Sequence, residues 1–163
     1  MRHILSLLVE NEAGALSRIS GLFSARAFNI ESLTVAPTED DTVSRMTIVT
    51  TGSDQIIEQI TKQLNKLVDV IKVMDLSERK HIERELMLVK FDAGQIDKDA
   101  LIEKVGVYQG VLVDESENTF TVEFLNNGET LDQFLKSIPK EQIIEVVRSG
   151  VSGIALGASA IRI

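Results

Sequence analysis

Residues 2–9 read RHILSLLV, and the turn that follows at residues 10–14 reads ENEAG. The first stretch is an almost unbroken apolar run of strand length, and the second is rich in residues that favour turns. Apolar residues then recur every three or four positions from Leu16 to Phe23, which is the spacing of one helix face. The opening of the chain therefore predicts a buried strand, a tight turn and an amphipathic helix that ends near Ala27.

The same alternation of elements continues through the first half of the chain. Residues 30–36 and 46–50 are rich in β-branched and apolar side chains, which predicts two strands. Ser53 or Asp54 is placed to cap a second helix. Residues 70–76 supply a fourth strand, so the predicted order is βαββαβ.

A second βαββαβ order follows a short polar stretch at residues 77–82, which we interpret as a linker. Residues 86–91 predict a strand, and residues 97–105 predict a helix with an acidic start. The remaining predicted elements are strands at 111–113, 120–124 and 143–147 and a helix over 131–138. The two halves share this topology without clear residue-level identity.

A βαββαβ unit with short connections is a ferredoxin-like sandwich, in which two helices cover one face of an antiparallel sheet. The sequence therefore predicts an α+β protein with two tandem ferredoxin-like domains, at residues 1–77 and 83–163. A unit of about 75 residues buries little more than 60% of its unfolded surface, and its sheet keeps open edges and a second face. We therefore expect the chain to self-associate.

Composition excludes several classes of function. Seventeen Lys and Arg against twenty-five Asp and Glu give a net charge of −8, whereas nucleic acids and anionic membranes attract basic surfaces. Aromatic residues make up 4% of the chain, which is too few for a base-stacking platform. No apolar run approaches the roughly 20 residues of a membrane span, and the start lacks a signal-peptide pattern. We expect a cytoplasmic protein that binds neither nucleic acid nor membrane.

Residues with catalytic or metal-binding chemistry are scarce. The chain has no cysteine, and His3 and His81 are too few and too far apart to suggest a metal cluster or a catalytic triad. We expect both to be solvated. The acidic run at 39–41 lacks the spaced ligands of a calcium loop. The three glycines of residues 150–157 lack the lysine of a phosphate loop, which favours a flexible C-terminal segment. The sequence indicates no catalytic residue and no metal ligand.

A candidate ligand site lies at the first strand-to-helix turn. The start of a helix leaves backbone N–H groups unpaired and carries partial positive charge, which suits a small carboxylate. Gly14 has no Cβ, so a ligand can approach the backbone of Gly14, Ala15 and Leu16. Asn11 offers a donor and an acceptor, for a carboxylate or an ammonium group. The alternative is that Asn11 and Gly14 only shape the turn, and their spacing alone does not separate these interpretations.

Asn29 lies just before the second predicted strand, where a polar side chain beside an apolar run needs a partner. If two sheets pair edge to edge, Asn29 and Ile30 of one chain could face the Asn11 turn of another. That arrangement would form a ligand site only in a dimer. The alternative is an ordinary asparagine in a helix-to-strand turn.

The residues of this site lie within stretches that closely resemble the small regulatory subunits of acetohydroxyacid synthase, also called acetolactate synthase. The resemblance is strongest at residues 4–19 (ILSLLVENEAGALSRI), 21–24, 28–35 (FNIESLTV) and 44–49 (SRMTIV), and it continues at 64–70, 83–90 and 145–150. It covers most of the chain and is weaker between residues 92 and 140.

The resemblance implies an N-terminal ACT domain, which is a ferredoxin-like amino-acid sensor, followed by a family-specific C-terminal domain. It implies a homodimer through the ACT domain. The chain would not be an enzyme by itself, but would bind and activate a large catalytic subunit, which is a transferase. Thiamine diphosphate, magnesium and FAD would belong to that subunit and not to this chain.

The resemblance also implies feedback inhibition by valine in the biosynthesis of valine, leucine and isoleucine. Asn11, Gly14 and Asn29 match the effector-site positions of the family, and Ala15, Leu16 and Ile30 follow as backbone or wall contributors. Catalytic residues and metal ligands are implied for none of these positions.

Two positions depart from the family pattern. Ala27 stands where glycine is common, and Gln109 stands where an arginine often follows an aromatic residue. Two other classes of function remain open from the sequence. One is a free-standing amino-acid-binding regulator that acts on transcription or on a transporter, and the other is a small enzyme on a ferredoxin-like scaffold.

Overall fold

The computed structural model describes all 163 residues, which form two compact units. Unit 1 comprises Met1–Ile82 together with Val151–Ile163, and unit 2 comprises Glu83–Gly150. The chain therefore leaves unit 1 after Ile82 and re-enters it at Val151. Residues 151–163, which the sequence prediction places in the second domain, lie with the first.

Unit 1 has the predicted βαββαβ order. Its elements are β1 (Arg2–Glu10), α1 (Ala15–Ala25), β2 (Ser32–Pro37), β3 (Val43–Thr51), α2 (Asp54–Leu64) and β4 (Val70–Asp75). The four strands form one sheet in the order β2-β3-β1-β4, with every pair antiparallel. Helix α1 ends at Ala25 and not at Ala27, because Ala27 has a φ of 54°, which a right-handed helix does not accommodate.

Unit 2 repeats the order, which confirms the prediction of two ferredoxin-like units. Its elements are β5 (His81–Asp92), α3 (Lys98–Val107), β6 (Val111–Glu115), β7 (Thr119–Asn126), α4 (Gly128–Lys136), a single 3-10 turn (Lys140–Gln142) and β8 (Ile143–Arg148). The strand order is β6-β7-β5-β8. Strand β5 already begins at His81, so the connection before it is shorter than the predicted linker. None of the helices has the length and apolar composition that crossing a membrane requires.

Both faces of the sheet in unit 1 are covered by the chain itself. Leu5, Leu7 and Val9 of β1 pack against the helices, while Ile4 and Leu8 point to the opposite face, as the alternation of a strand requires. The segment after residue 150 packs on that opposite face. It contains a short strand, β9 (Ser152–Ala155).

Two residues anchor this returning segment. Val151 packs against Ile4 and is 3% exposed, and Ile161 packs against Leu8 and is 9% exposed. The prediction of a flexible C-terminal segment is therefore wrong, because these two apolar side chains complete a second core layer. The second face of this sheet does not depend on a neighbouring molecule for its cover.

His3 is also placed differently from its prediction. It is 7% exposed, because β1 is a central strand and the start of α2 lies beside it. Its Nδ1 lies 2.9 Å from Oδ2 of Asp75, and since a carboxylate only accepts, Nδ1 is the donor of this hydrogen bond. The expectation that His3 is solvated is wrong, and the residue instead links β1 to β4.

Candidate functional site

The turn between β1 and α1 requires glycine at position 14. Gly14 precedes α1 with a φ of 89°, a left-handed conformation that side chains disfavour. A Cβ built on Gly14 would lie 2.8 Å from Nη1 of Arg18, which is closer than real Cβ contacts come. The backbone conformation therefore disfavours a side chain at this position, and a Cβ there would also displace the end of the Arg18 side chain.

Helix α1 begins without a side-chain cap, unlike the other three α-helices. Ser53, Asp97 and Asn127 each accept a hydrogen bond from a backbone N–H in the first turn of α2, α3 and α4. No side chain caps α1, and its first turn contains no acidic residue. The N–H groups of that turn have no intrahelical acceptor, and apart from that of Ala15 they are left for water or a ligand.

The contacts of Ala15 and Leu16 show what each residue can offer to a ligand at this turn. The N–H of Ala15 donates to the carbonyl of Glu12 at 3.2 Å, and the side chain of Ala15 is buried. The side chain of Leu16 is 45% exposed beside the turn. Leu16 is therefore the residue that adds both a first-turn N–H and an accessible apolar surface.

Asn11 is held by the loop between β2 and β3. Its N–H donates to the carbonyl of Thr42 at 2.7 Å, and its Nδ2 donates to the carbonyl of Asp41 at 2.7 Å. The amide group is thereby fixed in orientation, with one hydrogen of Nδ2 engaged. Its Oδ1 remains an acceptor, which suits an ammonium or another N–H donor.

An ion pair lies directly beside this turn. Nε of Arg18 donates to Oδ2 of Asp69, and Nη2 donates to Oδ1 at 2.7 Å. The Asp69 side chain is 5% exposed, and the Arg18 guanidinium holds the pKa of its carboxyl below the ordinary value of 3.8. The hydrogen bond with Asp69 in turn raises the pKa of Arg18. No local sequence pattern indicates this pair, because its members are 51 positions apart.

Asn29 and Ile30 lie at the other end of the sheet. The carbonyl of Asn29 accepts a hydrogen bond from Oγ1 of Thr50 at 2.6 Å, and Thr50 is paired with His3 on β1. The Asn11 turn instead follows Glu10 at the opposite end of β1. His3 and Glu10 are separated by about 24 Å along an extended strand.

The six predicted effector residues therefore form two separate groups within one chain. Asn11, Gly14, Ala15 and Leu16 meet at one end of the sheet, and Asn29 and Ile30 meet at the other. Asn29 is exposed, whereas Ile30 packs partly against the core on the helix side of the sheet. A single chain does not bring the two groups together.

Comparison with known proteins assigns both units to one family. A family model described as an AHAS small subunit-like ACT domain matches residues 5–72, and one described as the small subunit of acetolactate synthase matches residues 84–157. Together these two matches span most of units 1 and 2.

Relatives and a solved structure match over nearly the full length. The chain is 50% identical to the acetolactate synthase isozyme 3 small subunit of Escherichia coli K12, over 99% of this chain and 100% of that protein. It is 49% identical to the acetolactate synthase small subunit of Haemophilus influenzae, over 96% and 97%.

The crystal structure of the small subunit from Thermotoga maritima superposes with a TM-score of 0.87 at 33% identity, over 98% and 99% of the two chains. The chain belongs to the family of acetolactate synthase small subunits.

Proposed function

We propose that this chain is the regulatory subunit of an acetolactate synthase, which binds and activates the catalytic subunit and makes that activity sensitive to valine. The family membership supports the catalytic partner. In this function the chain contributes no catalytic group. The chemistry, with thiamine diphosphate, magnesium and FAD, takes place in the catalytic subunit, and both subunits act in the cytoplasm.

The uncapped start of α1 is the observation that carries the valine site. The carboxylate of valine binds the N–H groups around Gly14 and Leu16, where no side chain of the protein occupies the positive end of the helix. The ammonium group binds near Oδ1 of Asn11 or the side chain of Asn29. Leu16 and Ile30 supply apolar walls for the isopropyl group.

The separation of the two residue groups supports a site shared by two copies of the chain. Strand β2 is an edge of its sheet, so its outer backbone groups are open to pairing. When two β2 strands pair antiparallel, the start of one strand meets the end of the other. Asn29 and Ile30 lie before the start of β2, and the loop that holds Asn11 follows its end. A two-fold dimer through β2 therefore assembles two complete sites.

The affinity must suit a metabolite sensor. Valine has to dissociate at cellular concentrations, so we expect a Kd of roughly 10 μM to 1 mM. Inhibition requires that valine favour one arrangement of the subunits over another, with a coupling free energy of about 1–3 kcal/mol.

The first experiment measures acetolactate formation by the cognate catalytic subunit, with and without this chain and with and without saturating valine. We expect activity to rise when the chain is added and to fall again with valine. Leucine and isoleucine in parallel assays determine which branched-chain amino acid is the effector. Activation that no amino acid reverses would contradict the effector site, and absence of activation would favour a free-standing regulator.

A complementation experiment tests whether the site is shared. Asn11→Ala and Asn29→Ala each remove one half of every site, so each variant alone should lose valine inhibition. A mixed dimer of the two variants regains one intact site, because the remaining Asn11 and Asn29 come from different copies. We expect that refolding the two variants together, which forms mixed dimers, restores part of the inhibition. Two variants that stay insensitive when mixed would place the whole site within one chain.

A further inference from the structure

The returning segment is hydrogen-bonded to β2 through the backbone of Val151. Its N–H donates to Oγ of Ser32 at 2.9 Å, and its carbonyl accepts from Oγ1 of Thr34 at 3.2 Å. Two side chains on the same face of β2 therefore satisfy both polar backbone groups of Val151. The Val151 side chain is buried against Ile4 in the core layer opposite the helices.

This contact is close in sequence both to the proposed effector site and to the connection with unit 2. Ser32 follows Ile30, a residue of the proposed effector site, by two positions on the way into β2. Val151 is the first residue of unit 1 after the chain leaves unit 2. The contact therefore joins the strand that starts at the effector site to the covalent connection between the units.

That connection is short. Arg148 at the end of β8 is held in unit 2, where Nη2 donates to Oε2 of Glu85 at 2.9 Å and Nη1 donates to Oδ1 of Asp132 at 2.6 Å. Only Ser149 and Gly150 separate Arg148 from Val151. Three peptide steps span at most about 11 Å, so the Cα atoms of Val151 and Arg148 cannot move farther apart than that.

We propose that Ser32 and Thr34 are positioning residues that couple the effector site to unit 2 through Val151. This inference rests on the proposed effector function. A ligand bound at Asn29 and Ile30 shifts the start of β2, the two hydroxyls carry Val151 with that strand, and the short connection passes the displacement to β8. Neither hydroxyl contacts the effector, so their removal separates binding from inhibition.

The test is the double variant Ser32→Ala/Thr34→Val in the full chain, assembled with the catalytic subunit. Valine affinity is measured by equilibrium dialysis, and inhibition is the ratio of activity without valine to activity at saturating valine. We expect the Kd to stay within about threefold of wild type, since the binding groups are unchanged. We expect the inhibition ratio to fall about fivefold, which is the factor that corresponds to the loss of one net hydrogen bond. If the wild-type ratio is itself smaller than about five, we expect the ratio of the variant to fall to one, which means no inhibition.

Two controls separate coupling from a purely structural role. Ser32→Thr/Thr34→Ser retains both hydroxyls and should keep the wild-type ratio. Ser137→Ala removes a hydroxyl that donates to the carbonyl of Phe134 at the end of α4, away from Val151 and from the effector site, and should also be neutral. A purely structural role for Ser32 and Thr34 would lower the melting temperature of the double variant without changing its inhibition ratio.

The outcomes of this experiment distinguish failure of the coupling role from failure of the effector function. An inhibition ratio equal to wild type in the double variant overturns the coupling role, and so does a parallel loss of affinity and inhibition. If the double variant does not fold, the single variants Ser32→Ala and Thr34→Val are each expected to lower the ratio part of the way. A wild-type chain that activates the enzyme but does not respond to valine contradicts the effector function itself, which is a distinct failure.

Discussion

Arg18 and Asp69 form a two-point ion pair that ties the first turns of α1 to the loop before β4. The Asp69 carboxylate is buried, and the Arg18 guanidinium lies over Gly14 with Nη1 turned toward it. The pair therefore fixes the surroundings of the helix start from which the effector carboxylate is proposed to accept hydrogen bonds. It also makes the stability of unit 1 depend on pH.

Replacing Asp69 should change stability at neutral pH much more than in acid. The folded-state pKa of Asp69 lies below its ordinary value of 3.8, so its contribution is present above that value and is lost as the pH falls through the lower folded-state pKa. We expect Asp69→Asn to lower the free energy of unfolding at pH 7, with a difference from wild type that shrinks as the pH falls below 3.8. Urea titrations at a series of pH values from 7 downward measure it. The exposed Asp114→Asn serves as the matched control, and a constant difference for Asp69→Asn would contradict the prediction.

Gly14→Asp should abolish valine inhibition and leave activation of the catalytic subunit largely intact. The new carboxylate would stand beside Nη1 of Arg18 and the start of α1, where the effector carboxylate is proposed to bind. Acetolactate assays over a range of valine concentrations measure the effect. Gly21→Asp in α1 is the control for the added carboxylate, because a Cβ there has no atom within 4 Å. Full valine inhibition of the Gly14 variant would exclude this placement of the carboxylate.

Ala27→Gly should stabilise the protein, although glycine usually destabilises. Ala27 has a φ of 54°, which costs alanine on the order of 1 kcal/mol that glycine does not incur, partly offset by the larger entropy of glycine in the unfolded chain. We expect a net gain of up to about 1 kcal/mol in urea unfolding. Ala25→Gly, two residues earlier at the end of α1, should instead lose up to about 1 kcal/mol. The same sign for both variants would contradict the conformational argument.

Gly110→Ala should destabilise unit 2 by overpacking. A Cβ at position 110 would lie 2.4 Å from Cε1 of Phe124, a buried ring of the unit 2 core. Forcing the ring to move costs about 1–3 kcal/mol. Gly106→Ala in α3 is the control, because its Cβ would meet nothing within 4 Å and alanine favours a helix by up to about 1 kcal/mol. Thermal unfolding should therefore separate the two variants in opposite directions from wild type.

The elements that the sequence predicts correctly are those with strong local patterns. Strand β1 and helix α1 follow from apolar runs of the right period, and Ser53 caps α2 as predicted. Strand β9 escaped prediction because it has four residues in a glycine-rich segment. The burial of Val151 depends on contacts more than 100 positions away, which no local pattern reports.

Only part of the candidate site could be predicted from the sequence. The resemblance to the family supplied Asn11, Gly14 and Asn29, while the uncapped start of α1 and the position of Arg18 became visible only in three dimensions. The separation of Asn11 from Asn29 follows from the register of β1 on β3, which sequence spacing does not determine. Whether these residues bind valine stays a prediction.

The return of residues 151–163 to unit 1 has a consequence for shortened forms of the protein. A premature stop codon at positions 83–151 removes both Val151 and Ile161 and uncovers Ile4 and Leu8 in the first unit. A stop codon at positions 152–161 removes Ile161 and uncovers Leu8. Frameshifts near the end of the gene would therefore harm the folding of its beginning. An isolated first unit is better obtained by joining residue 82 to residue 151 through a short linker than by ending the chain.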